Sequence, residues 1–123
     1  MKTETLPFQQ LDAYQVAKEL AVRVHKSAVR DAELRDQATR AAKSAFLRLA
    51  EGLPLDTVGM RRKYFAEAAG SVCETAAAMD LAEAIGAVST EDAEAVQALA
   101  LRLKRMGAAP WRQAGRVGFR PVA

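Results

Sequence analysis

The stretch that decides the fold is residues 57–86, TVGMRRKYFAEAAGSVCETAAAMDLAEAIG. It is rich in alanine, lacks proline, and predicts one long helix from about Thr57 to Ile85, ended by Gly86. One apolar seam recurs every three or four residues, at Phe65, Ala69, Val72, Ala76 and Met79, and a second seam lies beside it at Cys73, Ala77, Leu81 and Ile85. A helix that is apolar over so much of its circumference is typically buried on more than one side.

Three other segments show the same helical spacing, at residues 11–29, 33–51 and 89–106. Their apolar seams are Tyr14, Ala17, Ala21, Val24 and Ala28; then Leu34, Ala38, Ala41, Ala45 and Leu49; then Val96, Leu99, Leu103 and Met106. No alternating run is long enough for a strand, and short connections force neighbouring helices to be antiparallel. We therefore expect an all-α, antiparallel up-down-up-down four-helix bundle at residues 11–107, between an N-terminal arm (1–10) and a basic C-terminal tail (108–123).

Length and composition exclude several classes of protein. The chain has 123 residues, a net charge of +3, one Cys and one His. This length fits one domain, and a single Cys cannot form an internal disulfide, which excludes a disulfide-stapled secreted scaffold. No apolar run is long enough to span a membrane, and the N-terminus does not resemble a signal peptide. We expect a small cytoplasmic protein without membrane contacts.

Metal or thiol chemistry has little support in the sequence. His25 and Cys73 are each the only residue of their kind, so one chain cannot build a His/Cys metal cluster from them. Cys73 lies in an apolar part of helix 3, and we expect it to be a buried small hydrophobic residue. We expect His25 to lie at the surface or at a helix end.

Carboxylate chemistry is disfavoured as well. Di-iron bundles use a Glu-x-x-His motif, which the chain lacks, and the chain has neither a Gly-rich phosphate loop nor a Gly-x-Ser-x-Gly elbow. Glu51 and Glu74 lie among apolar neighbours, and we expect them to be partly buried in structural pairs with Arg40, Arg48 or a helix end. The sequence therefore predicts no enzymatic activity and no cofactor.

Charge is distributed unevenly between the two ends of the predicted bundle. Antiparallel connections bring the end of helix 2, the start of helix 3, the end of helix 4 and the tail to one end, which we call the basic pole. Its candidate nucleic-acid-binding residues are Arg48, Arg61, Arg62, Lys63, Arg102, Lys104, Arg105 and Arg112. The opposite end, the acidic pole, carries Asp80, Glu83, Glu91, Asp92 and Glu94.

Part of this charge pattern has a purely structural explanation. Cations at the end of helix 4 and acids at its start complement the helix dipole by ~0.3–1 kcal/mol each. The same dipole disfavours Arg61, Arg62 and Lys63 at the start of helix 3 by a similar ~0.3–1 kcal/mol each. A Lys63–Glu67 pair would recover only ~0.2–0.5 kcal/mol. This unfavourable cluster indicates anion binding, and a solvated charged face is the alternative.

The tail carries aromatic and basic residues in alternation: Pro110, Trp111, Arg112, Arg116, Phe119 and Arg120. Such a composition suits phosphate contacts and base stacking on single-stranded RNA. Alternatively, Trp111 and Phe119 dock on their own bundle or on a neighbouring subunit.

Several apolar side chains are left over for contacts between chains. Alanine seams bury little apolar area, and each Å² of buried apolar surface contributes only ~25 cal/mol to folding. An isolated monomer would therefore be marginally stable. Leu47 and Leu101 point away from their own seams, and the second seam of helix 3 needs cover. A homo-oligomer contact would supply that cover; scattered exposed apolar residues, which are common, are the alternative.

Several different short motifs follow one another in a definite order along the helices. Helix 1 contains LDAYQVAKELA at residues 11–21, and helix 2 ends in LAEG at residues 49–52. Helix 2 also has Gln37, Arg40-Ala41-Ala42 and Ser44, and helix 3 has Phe65, Gly70-Ser71, Glu74 and Ile85-Gly86. Over about residues 8–106 the chain resembles the four-helix-bundle proteins encoded in intervening sequences of bacterial 23S rRNA genes. It is more distantly similar to the accessory proteins of diversity-generating retroelements.

The resemblance implies a pentameric ring of bundles, no enzymatic activity and binding to nucleic acid. The retroelement accessory proteins are likewise pentameric bundles, and they bind RNA and a reverse transcriptase. Where the family usually has Pro-Ser-Asn before its Ile-Ala-Glu-Gly motif, this chain has Phe46, Leu47 and Arg48. The missing proline predicts a helix 2 without a kink.

Two functional hypotheses follow. The first is a non-enzymatic homo-oligomeric module, a pentamer by resemblance, that binds the phosphate backbone of RNA or DNA through the basic pole with little reading of bases. RNA is the favoured ligand of the two. The second is an adaptor whose basic pole binds an acidic protein such as a polymerase or a reverse transcriptase. A small-molecule enzyme would require a stoichiometric metal or a deep polar pocket at mid-bundle.

Overall fold

The computed structural model describes residues 6–106, which form four α-helices after a short 3₁₀ turn. The helices are α1 (Asp12–Lys26), α2 (Ala32–Gly52), α3 (Val58–Ala84) and α4 (Thr90–Arg105). The 3₁₀ turn, Pro7–Gln10, lies in the N-terminal arm. The described range contains no strand, so the all-α four-helix prediction is confirmed.

Contacts between the helices establish their relative directions. Across the α2–α3 interface, Arg48 lies near Glu67, Ser44 near Ser71, and Gln37 near Glu74. Residue numbers rise along α2 as they fall along α3, so these helices are antiparallel. Between α1 and α4, Arg23 near the end of α1 pairs with Asp92 at the start of α4, with 2.7 Å between Arg23 Nη2 and Asp92 Oδ1. These two helices are therefore antiparallel as well. Together with the short connections at residues 27–31, 53–57 and 85–89, these pairs give an up-down-up-down arrangement.

Side-chain caps begin three of the four helices. The carboxylate of Asp31 accepts a hydrogen bond from the Leu34 N–H at 2.9 Å and starts α2. Thr57 caps α3 in the same way. The Ser89 hydroxyl accepts a hydrogen bond from the Asp92 N–H at 3.1 Å and starts α4. Each cap satisfies one of the N–H groups that have no partner inside the helix.

Helix α1 ends at Lys26, three residues before the predicted end. The Ser27 hydroxyl donates to the Arg23 carbonyl at 2.8 Å, and the backbone of Ser27 is extended. The chain then crosses to the α3–α4 connection, where the Arg30 N–H donates to the Ala87 carbonyl at 2.7 Å. The longer predicted helix was wrong because this link between two loops competes with further helical turns.

The core is built from small apolar side chains with a few large ones, of which Leu20, Leu53 and Met79 are almost completely buried. Helix α3 turns a slightly different face inward than predicted. Ala69 is exposed, whereas Thr75 is fully buried, its hydroxyl donating to the Ser71 carbonyl at 2.8 Å. Helix α2 runs without interruption from Ala32 to Gly52.

The second apolar seam of α3 is not covered within the described chain. Leu81 is 52% exposed and Ile85 is 56% exposed, and Cys73 and Ala77 are exposed as well. Leu47 and Leu101 also point outward, as predicted.

Across residues 6–106, no helix combines the length and the apolar character needed to cross a membrane.

Candidate nucleic-acid interface

The basic pole is formed where α2 ends, α3 begins and α4 ends. Six of its candidate cations have exposed side chains: Arg48, Arg62, Lys63, Arg102, Lys104 and Arg105. Because Arg102 and Lys104 are two residues apart, they point about 200° apart around α4. The cations therefore surround the last turn of α4 instead of lying on one side of it. Arg112, Trp111 and Phe119 belong to the tail and lie outside the described residues.

Arg61 does not belong to this exposed surface, which corrects its assignment as a nucleic-acid contact. Its side chain is 0% exposed, and its Nη1–H donates to the carbonyl of Leu55 at 2.9 Å. Arg61 therefore holds the α2–α3 connection against the start of α3. Its position could have been predicted, since it precedes Phe65 by four residues and Ala68 by seven, on the buried face of the helix.

Arg48 is exposed, but nearby carboxylates offset its charge. Its Nη1 lies 3.1 Å from Glu51 Oε1, and its Nε lies 3.5 Å from Glu67 Oε1. The expected pairing of Glu51 with Arg48 is confirmed, although Glu51 is exposed and not partly buried. Glu67, expected beside Lys63, joins α3 to α2 through Arg48. This neutralisation makes Arg48 the weakest anion-binding candidate among the exposed cations.

Glu74 is also exposed, contrary to the expectation of partial burial. Its carboxylate accepts a hydrogen bond from the Gln37 side-chain amide. Arg40 in turn donates to the Gln37 side-chain oxygen at 3.4 Å. These contacts form a polar strip between α2 and α3 and account for Glu74 without a ligand.

A groove of about 260 Å³ lies between α3 and α4 at the basic pole. Its apolar lining includes Leu49, Phe65, Val72 and Leu103, and Arg62 and Lys104 are its two charged lining residues. Leu49 belongs to the inward face of α2, so the groove reaches the core of the bundle. The combination of apolar walls and two cations was not predicted, because it depends on the spacing between α3 and α4.

Cys73 lies beside this groove and is exposed, so the prediction of a buried cysteine was wrong. Its sulfur lies 3.7 Å from the Nζ of Lys104. The error has a simple cause: within residues 6–106, no other helix packs over the side of α3 that carries Cys73. The contact shows that Lys104 extends from α4 toward α3.

The acidic pole differs from the basic pole in charge and in pairing. Asp80, Glu91 and Glu94 are exposed, and Asp92 is held by Arg23. His25 is exposed in the last turn of α1, as expected. Among residues 6–106, no three His, Cys, Asp or Glu side chains are grouped so that they could hold a metal ion.

Comparisons with known proteins complete the description of the site. The family model of the 23S rRNA-intervening sequence protein matches residues 9–109. The match covers all four helices and the groove at the basic pole. A search of curated proteins finds no significant match to the chain.

Proposed function

Because the chain belongs to the family of 23S rRNA-intervening sequence proteins, we propose that it is a non-enzymatic, oligomeric, cytoplasmic RNA-binding module. The observation that carries the proposal is the group of exposed cations at the basic pole: Arg62, Lys63, Arg102, Lys104 and Arg105. A cluster of exposed cations is what a phosphate backbone requires.

The pairing of charges supports the same surface. Within the described chain, the ion pairs involve Arg23, Arg35 and Arg48, and none involves Lys63, Arg102 or Arg105. When exposed cations that are not held by carboxylates bind phosphates, they displace the counterions condensed on the nucleic acid, and this release favours binding. The binding energy at this pole therefore comes mainly from phosphates, with little contribution from base edges.

Self-association is the second part of the proposal. The exposed Leu81 and Ile85 lie toward the acidic pole, away from the groove, and their apolar surface favours contact with another chain. In a ring with cyclic symmetry all basic poles face the same way, which strengthens the positive field on one face. A pentamer is the expected number. Light scattering on the wild type and on a Leu81→Asn/Ile85→Asn variant tests it, because the double variant should lower the measured mass.

The test of RNA binding reverses charge at two matched sites. Lys63→Glu/Arg105→Glu changes the basic pole, and Lys26→Glu/Lys43→Glu makes the same change in net charge at exposed lysines elsewhere. Affinity for a single-stranded RNA is measured by fluorescence anisotropy over a series of salt concentrations. The first variant should bind at least about tenfold more weakly than the wild type. Its plot of log affinity against log salt concentration should also be less steep by about 1–2.

The control variant should retain most of the affinity, and both variants should keep the helical circular dichroism of the wild type. Equal losses in the two variants would show that net charge alone governs binding and would contradict a localised site. If the wild type binds no RNA at low salt but binds an acidic protein such as a polymerase or a reverse transcriptase, the adaptor hypothesis replaces this one.

A further inference from the structure

We propose that the groove between α3 and α4 receives one unstacked base of a single-stranded nucleic acid, with the neighbouring phosphates on Arg62 and Lys104. The inference rests on the proposed RNA-binding function and adds the strand state of the ligand and the place where a base is held. It starts from the groove's composition: apolar walls that include Phe65 and Leu103, and two cations.

The size of the groove fits a single base. A groove of about 260 Å³ is large enough to admit one planar base. The faces of a base are apolar, and they can contact Phe65, Val72 and Leu103, whereas its polar edges can stay toward solvent. A base inside a duplex is stacked on both faces, so only a single strand can offer one.

The two cations place phosphates beside such a base. Arg62 extends from the second turn of α3 and Lys104 from the last turn of α4, and both line the groove. The ammonium group of Lys104 lies 3.7 Å from Cys73 Sγ, which shows that this side chain crosses toward α3. A nucleotide strand entering the groove therefore meets a positive charge from each of the two helices.

Two other occupants of the groove have to be compared with a base: the C-terminal tail and a second copy of the chain. The tail follows α4 directly, but Trp111 precedes Arg112, and residues 107–123 contain no acidic side chain. Placing Trp111 in the groove would bring Arg112 close to Arg62 and Lys104. Among the exposed apolar side chains that favour contact with a second copy, Leu81 and Ile85 lie toward the other pole, whereas Leu47 and Leu101 lie nearer the groove, so the test below includes the mass of the groove variant.

The experiment compares three probes and two variants. The probes are a short oligouridylate, an abasic oligomer with the same number of phosphates, and a duplex of the same length. Ala69→Leu fills the groove without changing charge, because Ala69 is an exposed lining residue. Ala98→Leu makes the same change at an exposed position of α4 outside the lining.

The wild type should bind the oligouridylate about tenfold more tightly than the abasic oligomer or the duplex, the scale of one stacked base. Ala69→Leu should remove this preference and leave binding to the abasic oligomer unchanged, and Ala98→Leu should keep the preference. Equal affinity of the wild type for the oligouridylate and the abasic oligomer overturns the base site but leaves phosphate binding intact. Failure of all three probes at low salt overturns the proposed function itself.

Two further readouts identify a different occupant. Trp111 is the single tryptophan of the chain, so its fluorescence reports directly on the tail. A red shift of its emission in Ala69→Leu without RNA would assign the groove to the tail and overturn the inference. A lower mass of Ala69→Leu in light scattering would assign the groove to a second copy and also overturn it.

Discussion

Arg61 and Arg62 are neighbours in sequence with opposite surroundings, and replacing each by alanine separates stability from binding. Arg61→Ala removes a hydrogen bond from a charged donor to the Leu55 carbonyl, worth ~1.5–3 kcal/mol. It also leaves a cavity, because the Arg61 side chain is 0% exposed. Relief from burying a charge offsets part of this loss. We expect the free energy of unfolding to fall by roughly 2–4 kcal/mol, a large share of the ~5–15 kcal/mol typical of a domain.

Arg62→Ala is the matched control, since it removes the same side chain from an exposed position. Its free energy of unfolding should stay within ~0.5 kcal/mol of the wild type. Urea unfolding followed by circular dichroism measures stability, and RNA titration measures binding. Arg62→Ala should bind RNA more weakly, whereas Arg61→Met, which fills the volume without a donor, should recover part of the stability that Arg61→Ala loses.

The reasoning is refuted if Arg61→Ala unfolds at the same urea concentration as the wild type. It is equally refuted if Arg61→Ala is fully folded at the assay temperature and yet loses RNA affinity as Arg62→Ala does. Either result would mean that Arg61 reaches solvent and acts as part of the basic surface.

Two other pairs of residues give predictions of the same kind. Gly52→Ala should lower the free energy of unfolding by ~1–3 kcal/mol, because the added Cβ would lie 2.8 Å from Tyr64 Cβ. Gly70→Ala should raise the free energy of unfolding by ~0.5–1 kcal/mol, because the added Cβ meets open space and alanine favours the helix. Thermal unfolding of the two variants checks this, and equal melting temperatures would contradict it. A double-mutant cycle on Arg23 and Asp92 should give a coupling of ~0.5–1 kcal/mol that shrinks in high salt, since the side chains are 35% and 24% exposed. A coupling that does not change with salt would show that the pair is not mainly electrostatic.

Most of the fold could be predicted because the helices are encoded locally. Alanine-rich periodic segments and the capping residues Asp31, Thr57 and Ser89 define where helices form and begin. The end of α1 could not be predicted in this way. It depends on the hydrogen bond between Arg30 and Ala87, residues far apart in sequence that meet only after the chain has folded.

The site was predicted less completely, because exposure depends on which face each helix turns inward. The uneven distribution of charge was visible in the sequence, and so was the excess of cations at one end. The exposure of Cys73 follows from the face that α3 turns inward, whereas the burial of Arg61 was already indicated by its position four residues before Phe65. The groove was not visible at all, since no local pattern encodes the gap between α3 and α4.

Mapping of the RNA-binding surface by nuclear magnetic resonance tests the central claim most directly. Backbone amide shifts of the wild type are recorded during titration with a single-stranded RNA at low salt. The largest changes should cluster at the start of α3, residues 58–69, and at the end of α4, residues 100–106. Changes that cluster at the acidic pole, around residues 80–94, or spectra that RNA leaves unchanged, would contradict the central claim.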